Sequence, residues 1–428
     1  MTQPSVAVLA HGLGGSTDLP IPYSYALIGA AWALTLTFAV VAFAWRTPRF
    51  DPDRPGHPLP HWLTTAVDSP ITRAVVAGLA LALAIWVVVA GVIGPQDGGN
   101  ALPGAFYVLL WVGVPALSVL IGPVWRVISP MRTVIRLMPS RGLRRYPEAL
   151  GYWPGAVGLF AFVWLELASP NPGSLTAIKI WLACYVVIAF GGALLCGQRW
   201  LSRADPFDVY SVVASRLAVV SRNRDSGQLV WVNPFNHLRT LPVRPGTLAV
   251  LAVLLGSTAF DSFSASPDWR NFADGLGVNP AVTRSIGLFV FVLVVGLSFW
   301  GGAQATGGID RARRRELPGQ MAHSLIPIVV GYVFAHYLSY LVEKGQQTVI
   351  ALFGLRDVEV SYVLSAHPGV LATLKVCFVV AGHIAGVVAA HDAAIRLLPS
   401  GHQITGQLTM MLTMVAYTFT GLYLLFGG

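Results

Sequence analysis

Tyr332, His336, Ser339, Tyr340 and Glu343 fall within the single stretch 321–347. Spacings of three and four residues place them on one face of a helix. An imidazole and a carboxylate on one stripe, with phenols between them, are groups that move protons or hold a divalent metal ion. No residue from Ser324 to Val342 carries a fixed charge. That length matches a hydrocarbon core of about 30 Å, so the stretch reads as a membrane span. A polar stripe inside lipid is costly unless it faces protein or a water-filled cavity. The helix therefore needs partners from the rest of the chain.

Composition sets the setting for that search. Of 428 residues, 55% are hydrophobic and 11% charged, against about 25% charged in soluble domains. The chain is expected to be an all-α, polytopic transmembrane bundle forming one integral membrane domain over 1–428. Ten candidate spans are read at 22–45, 72–94, 102–124, 150–168, 175–196, 246–263, 283–304, 321–342, 368–390 and 404–426. The net charge of +9 does not point to nucleic acid, because the cations sit in the loops between spans. One set of alternate loops (46–73, 125–148, 198–244, 310–316, 391–403) holds 22 of the 28 Lys and Arg, while the acids divide about evenly. By the positive-inside rule that side is cytoplasmic. An even span count then puts both termini outside, and the expected location is a bacterial plasma membrane. Cys184, Cys196 and Cys377 lie in or beside apolar segments with no C-x-x-C, so neither a disulfide framework nor a thiol metal site is expected.

The basic loops 125–148 and 198–244 carry Ser129-Pro130, Asp205-Pro206 and Asn233-Pro234, each followed by a large apolar residue. These read as helix starts, with Ser, Asp or Asn capping and proline at the first position. Short interfacial helices are expected there, with arginines available to anionic lipid headgroups.

Several acids and histidines share a depth on the opposite, outer side. Glu166 ends the fourth span and Asp261 the sixth; His336 and Glu343 lie on the eighth; His11 and Asp18 precede the first; His367 starts the ninth. Imidazole with carboxylate in a partly dry pocket suits Zn, Mn, Fe or Cu(II). Such a metal would turn its bound water into a hydroxide nucleophile. Helix-contact hydrogen bonding is the competing role for the same groups. His11-Gly12-Leu13-Gly14-Gly15-Ser16 looks like the oxyanion loop of α/β-hydrolases, but no G-x-S-x-G elbow exists in the chain, which excludes that fold. On the ninth span, His383 and His391, beside Asp392, stand eight residues apart on roughly one face, as a proton relay or a haem ligand would. Haem is disfavoured, since His383 lacks a histidine partner at its own depth. Gly382 and Gly386 around it favour close helix packing instead.

Four stretches taken together resemble a known family. They are His11-Gly12-x-Gly14 with Asp18-Leu19-Pro20-x-Pro22, Phe260-Asp261 with Pro267-x-Trp269, Ser324-Leu325-Ile326-Pro327-Ile328 with Ala335-His336-Tyr337, and Gly382-His383 with Ala390-His391-Asp392. The chain resembles, over most of its length, the bacterial polytopic membrane proteins labelled fenitrothion hydrolase. That resemblance implies an organophosphate-hydrolysing activity. Ser262 departs from the family pattern, which often has glycine there.

Three functions remain open at this point. The first is a metal-dependent phosphotriester hydrolase with an outer site: His11, Asp18, Asp261 and His336 as ligands and Glu166 or Glu343 as base. The second is a permease for a small solute or metal ion, with the polar stripe of Tyr332, His336 and Glu343 as its path. The third is a non-catalytic membrane partner in assembly, docking through the basic loops.

Overall fold

The computed structural model describes residues 19–138, 142–355, 357–403 and 405–426. His11 and Asp18 lie outside the described residues. Within them, ten helices are long and apolar enough to cross a membrane: Tyr23–Ala44, Pro70–Ile93, Ala101–Ile121, Glu148–Leu167, Leu175–Cys196, Thr247–Ser264, Pro280–Gln304, Arg311–Phe353, Pro368–Leu397 and Leu408–Phe426. We number them spans 1 to 10. The protein is thus an all-α, multi-pass membrane bundle, with little strand.

Local sequence explains where many of these helices begin. Ser69 caps span 2 ahead of Pro70, and Asn279 caps span 7 ahead of Pro280. The loop helices start the same way. The Ser129 hydroxyl accepts from the Arg132 N–H, and the Asp205 carboxylate accepts from the N–H groups of Phe207 and Asp208. A short polar acceptor followed by proline satisfies a helix start twice over: the side chain takes one free N–H and proline removes another.

Spans 6 and 8 form the centre of the bundle, buried over 72% and 67% of their apolar windows, whereas span 2 is 11% buried and faces lipid. Spans 8 and 9 pack closely on each other. Glycine makes that approach possible. A Cβ on Gly382 would lie 2.7 Å from the Pro327 carbonyl oxygen, and one on Gly331 would lie 2.5 Å from that of Phe378. The obstructing atoms are backbone, so neither contact can relax by a side-chain rotation. We expect Gly382→Val to push the helices apart and cost about 1–3 kcal/mol, the usual range for overpacking. A lowered midpoint in detergent thermal unfolding, with a fraction of aggregate on gel filtration, is the readout.

Two spans carry π-helical segments. Span 3 passes from α-helix through a π-helical segment, Ala105–Gly113, and back. Span 8 runs through a 3-10 turn at Ala322–Leu325, an α-helix at Ile326–Ser339 and a π segment at Tyr340–Lys344 before continuing to Phe353. Its 43 residues would extend about 65 Å as a regular helix, so both ends protrude from a bilayer. The two π segments pack on each other. Single π insertions in helices cluster at functional sites.

At the arginine-rich end, strands β1 (His57–Pro58), β2 (Val220–Arg222) and β3 (Leu229–Trp231) make a small antiparallel sheet in the order β1-β3-β2. Arg222 and Arg73 both bind the Asp68 carboxylate, at 2.7 and 2.5 Å. The hydrogen-bonding Arg222 guanidinium holds that carboxyl below its usual range.

Candidate functional site

The end of span 6 and the middle of span 8 meet opposite the arginine-rich end. One Asp261 carboxylate oxygen, Oδ2, accepts from His336 Nε2 at 2.8 Å and from the Tyr337 hydroxyl at 2.9 Å. All three residues are buried, His336 to 1% exposure. His336 Nδ1 lies 3.3 Å from the Ser262 Oγ. With Asp261 ionised, Nε2 carries the proton, and the Nδ1 lone pair faces a hydroxyl able to donate to it. The imidazole is thus set between a fixed acceptor and an exchangeable donor. That is the arrangement of a proton-accepting histidine.

Ser262, His336 and Asp261 also have the order of nucleophile, base and orienting acid. The backbone argues against a serine nucleophile. Ser262 lies within the helix Thr247–Ser264, where neighbouring N–H groups are committed to carbonyls one turn back. They cannot form an oxyanion hole.

Glu166, near the end of span 4, comes into electrostatic reach of Tyr107, Tyr337 and Tyr340. Tyr107 and Tyr340 belong to the two π segments. Tyr340 is also within reach of Asp261. Glu166, Asp261 and His336 are therefore part of one polar region, joined by Tyr107, Tyr337 and Tyr340.

Tyr332 serves span 10, donating its hydroxyl to the Gly421 carbonyl at 2.6 Å. Glu343 has a separate environment. Its Oε1 accepts from the N–H groups of Leu364 and Ser365 at 3.1 and 2.8 Å, and its Oε2 from the Ser365 hydroxyl at 2.6 Å. It clamps the loop before span 9 to span 8. We expect Glu343→Gln to loosen residues 361–367. Amide hydrogen exchange at Leu364 and Ser365 should rise at least ten-fold, while exchange at the opposite end stays unchanged.

The ninth-span residues are distributed away from Asp261. His383 Nδ1 donates to the Val379 carbonyl at 2.8 Å. His391 Nε2 donates to the Trp45 carbonyl at 3.0 Å, and its Nδ1 faces Gln407 at 3.0 Å. The Asp392 Oδ1 accepts from the Arg49 N–H at 2.6 Å, and its Oδ2 binds Arg396 at 3.1 Å. His391 and Asp392 together fasten the segment after span 1 to the arginine-rich end of span 9.

Sequence reasoning missed three features. Tyr337 completes the Asp261 cluster, but as the neighbour of His336 it stands about 100° away from the stripe by helical spacing. Lys375 is 1% exposed inside span 9. Its place eight residues into the span is itself the signal of a buried ionisable group. The third is the burial of the helix Pro206–Ala214: the expected helix is there, but it is buried at every position and not interfacial. It enters the bundle from the arginine-rich end, bringing Tyr210 to 4.9 Å from the Trp111 ring in span 3, and the chain leaves by the same end into β2. Asp205 and Asp208 enter with it. Asp205 Oδ2 accepts from the Trp125 indole N–H at 2.9 Å and the Tyr185 hydroxyl at 3.2 Å. Asp208 pairs with Arg132 at 3.2 Å and Arg126 at 3.6 Å.

Among the described residues, no three His, Cys, Asp or Glu side chains converge to hold a metal ion. No family model, curated protein or solved structure matches the chain. The site has to be read from its own chemistry.

Proposed function

We propose that the chain is a proton-coupled permease of the bacterial plasma membrane, in which Asp261 and His336 form the outer proton site. The observation that carries this reading is the Asp261 carboxylate, buried and shared between His336 Nε2 and Tyr337. An ionisable pair inside a span is retained where protons or ions pass. The π-helical segments of spans 3 and 8 beside it support the same reading, because such segments cluster at functional sites. The positive-inside rule assigns this end to the outside. The chain is to be reconstituted in liposomes loaded with a pH-sensitive dye, and protons driven inward by a potassium diffusion potential. Wild type should acidify the lumen faster than empty liposomes, and His336→Gln should reduce the rate at least ten-fold. Equal rates for wild type and His336→Gln, or for wild type and empty liposomes, would overturn the proposal.

A second reading is the metal-dependent phosphotriester hydrolase that the resemblance implies. The same pair favours it, since a carboxylate on one imidazole nitrogen orients the other as a metal ligand. His336 and Asp261 would act with His11 and Asp18, and Glu166 would serve as base. Zinc, manganese, iron or copper at near one per chain in wild type, lost together with aryl phosphotriester hydrolysis in His336→Ala, would support it. Metal-free, inactive wild type purified without chelators would exclude it.

A further inference from the structure

At the arginine-rich end, a cavity of about 10 Å³ lies between spans 1, 9 and 10. That is the space of one water-sized particle. Its walls include Met410, Met411 and Met414 from span 10, and Val387 and His391 from span 9. Three of the chain's seven methionines thus fall within five residues and face one void. Met410 and Met414 are buried to 1% and 0% exposure.

Methionine alone is a common gap filler. Two further observations distinguish this cluster. His391 shares the void, and the Gln407 amide nitrogen beside it is buried without a hydrogen-bond partner. With Nε2–H on the Trp45 carbonyl, Nδ1 carries the ring's lone pair, and the Gln407 amide turned with its NH2 group toward Nδ1 satisfies both, so a metal ion at Nδ1 displaces that single donor. Next, His383 lies one turn from Val387 on the same face of span 9. Its Nδ1–H is held by Val379, and its Nε2 is buried with no hydrogen-bond partner. A carbonyl on one ring nitrogen and a bare lone pair on the other is the usual state of a metal-ligating imidazole.

We propose that this cavity is a site for a soft monovalent metal ion of the Cu(I) class. Met410, Met411 and Met414 supply thioethers and His391 supplies an imidazole nitrogen, while His383, about two turns further along span 9, lies outside the cavity's walls. Thioether and imidazole donors select Cu(I) over hard cations. They are neutral and need no deprotonation, so only the single positive charge of the ion enters the low-dielectric interior. The site is separate from Asp261 and His336 and does not depend on their role.

The test uses the full chain, purified in detergent and kept anaerobic, with Cu(I) supplied as its bicinchoninate complex. Wild type should withdraw one equivalent, seen as loss of the complex's colour. The triple variant Met410→Leu/Met411→Leu/Met414→Leu conserves volume and should bind at least ten-fold more weakly. Copper-edge X-ray absorption should show sulfur neighbours in wild type that the triple variant lacks. The cysteine-free variant Cys184→Ser/Cys196→Ser/Cys377→Ser should bind as wild type does. Should the triple variant fail gel filtration, the half-buried Met411→Leu alone is expected to weaken binding at least three-fold. The proposal is overturned if wild type withdraws no Cu(I), or if a well-folded methionine variant withdraws as much as wild type.

Discussion

Asparagine in place of Asp261 should abolish voltage-driven proton uptake into proteoliposomes, a loss of at least ten-fold, with little change in the shape of the protein. The substitution keeps the volume and one carbonyl-type oxygen, so His336 Nε2 or Tyr337 can still donate. What it removes is the charge toward which both now point. A charge-assisted hydrogen bond is roughly twice as strong as a neutral one, and a low dielectric enlarges the difference. Tyr337→Phe removes one neutral donor, worth about 1 kcal/mol, and should slow uptake by less than Asp261→Asn does. Equal effects from the two variants would mean that Asp261 acts as a hydrogen-bond acceptor alone and not through its charge. Full activity in Asp261→Asn would remove the outer proton site altogether.

The largest expected effect on stability lies at the other end. Arg132→Met should lower stability by about 3–5 kcal/mol, the range for breaking a buried ion pair from one side. Asp208 has 0% side-chain exposure, and Arg132 has 10%. The other cation near Asp208, Arg126, is farther away at 3.6 Å and 45% exposed, so it compensates poorly. The double variant Arg132→Met/Asp208→Leu removes both charges and should recover most of the loss, because the penalty comes from the orphaned carboxylate and not from the missing attraction. Thermal unfolding in detergent measures both. Additive losses in the double variant would show that each side chain acts through separate packing.

The ten spans were legible because each is a long apolar run, and length with hydropathy is a local property. The proline-led helix starts were legible for the same reason: Ser129 and Asp205 act on N–H groups two or three residues away. Depth was also readable, since 1.5 Å per residue from a span end puts Asp261 and His336 at one level. Whether those two residues touch depends on which spans are neighbours, and nothing in a single sequence carries that. Glu343 shows the gap. Its depth fits the same constellation, yet its partners are Leu364 and Ser365 in a loop. The burial of the Pro206–Ala214 helix was hidden by its nine residues, too few to cross a bilayer, and by the arginines around it. A short buried segment that leaves by the side it entered has no hydropathy signal of its own.

The small sheet at the arginine-rich end has a consequence for biosynthesis. Strand β1 follows span 1, but its partner β3 follows span 5, with His57 opposite Trp231. The first loop therefore leaves the ribosome more than 170 residues before the strand that completes it. Spans 1 to 5 have to be threaded in the correct alternation before β1 can be covered, because β3 on the wrong side of the bilayer has nothing to pair with. The sheet can therefore close only on a chain whose first five spans share one alternation. A chain whose early hairpin inserted upside down lacks the Asp68–Arg222 and β1–β3 contacts.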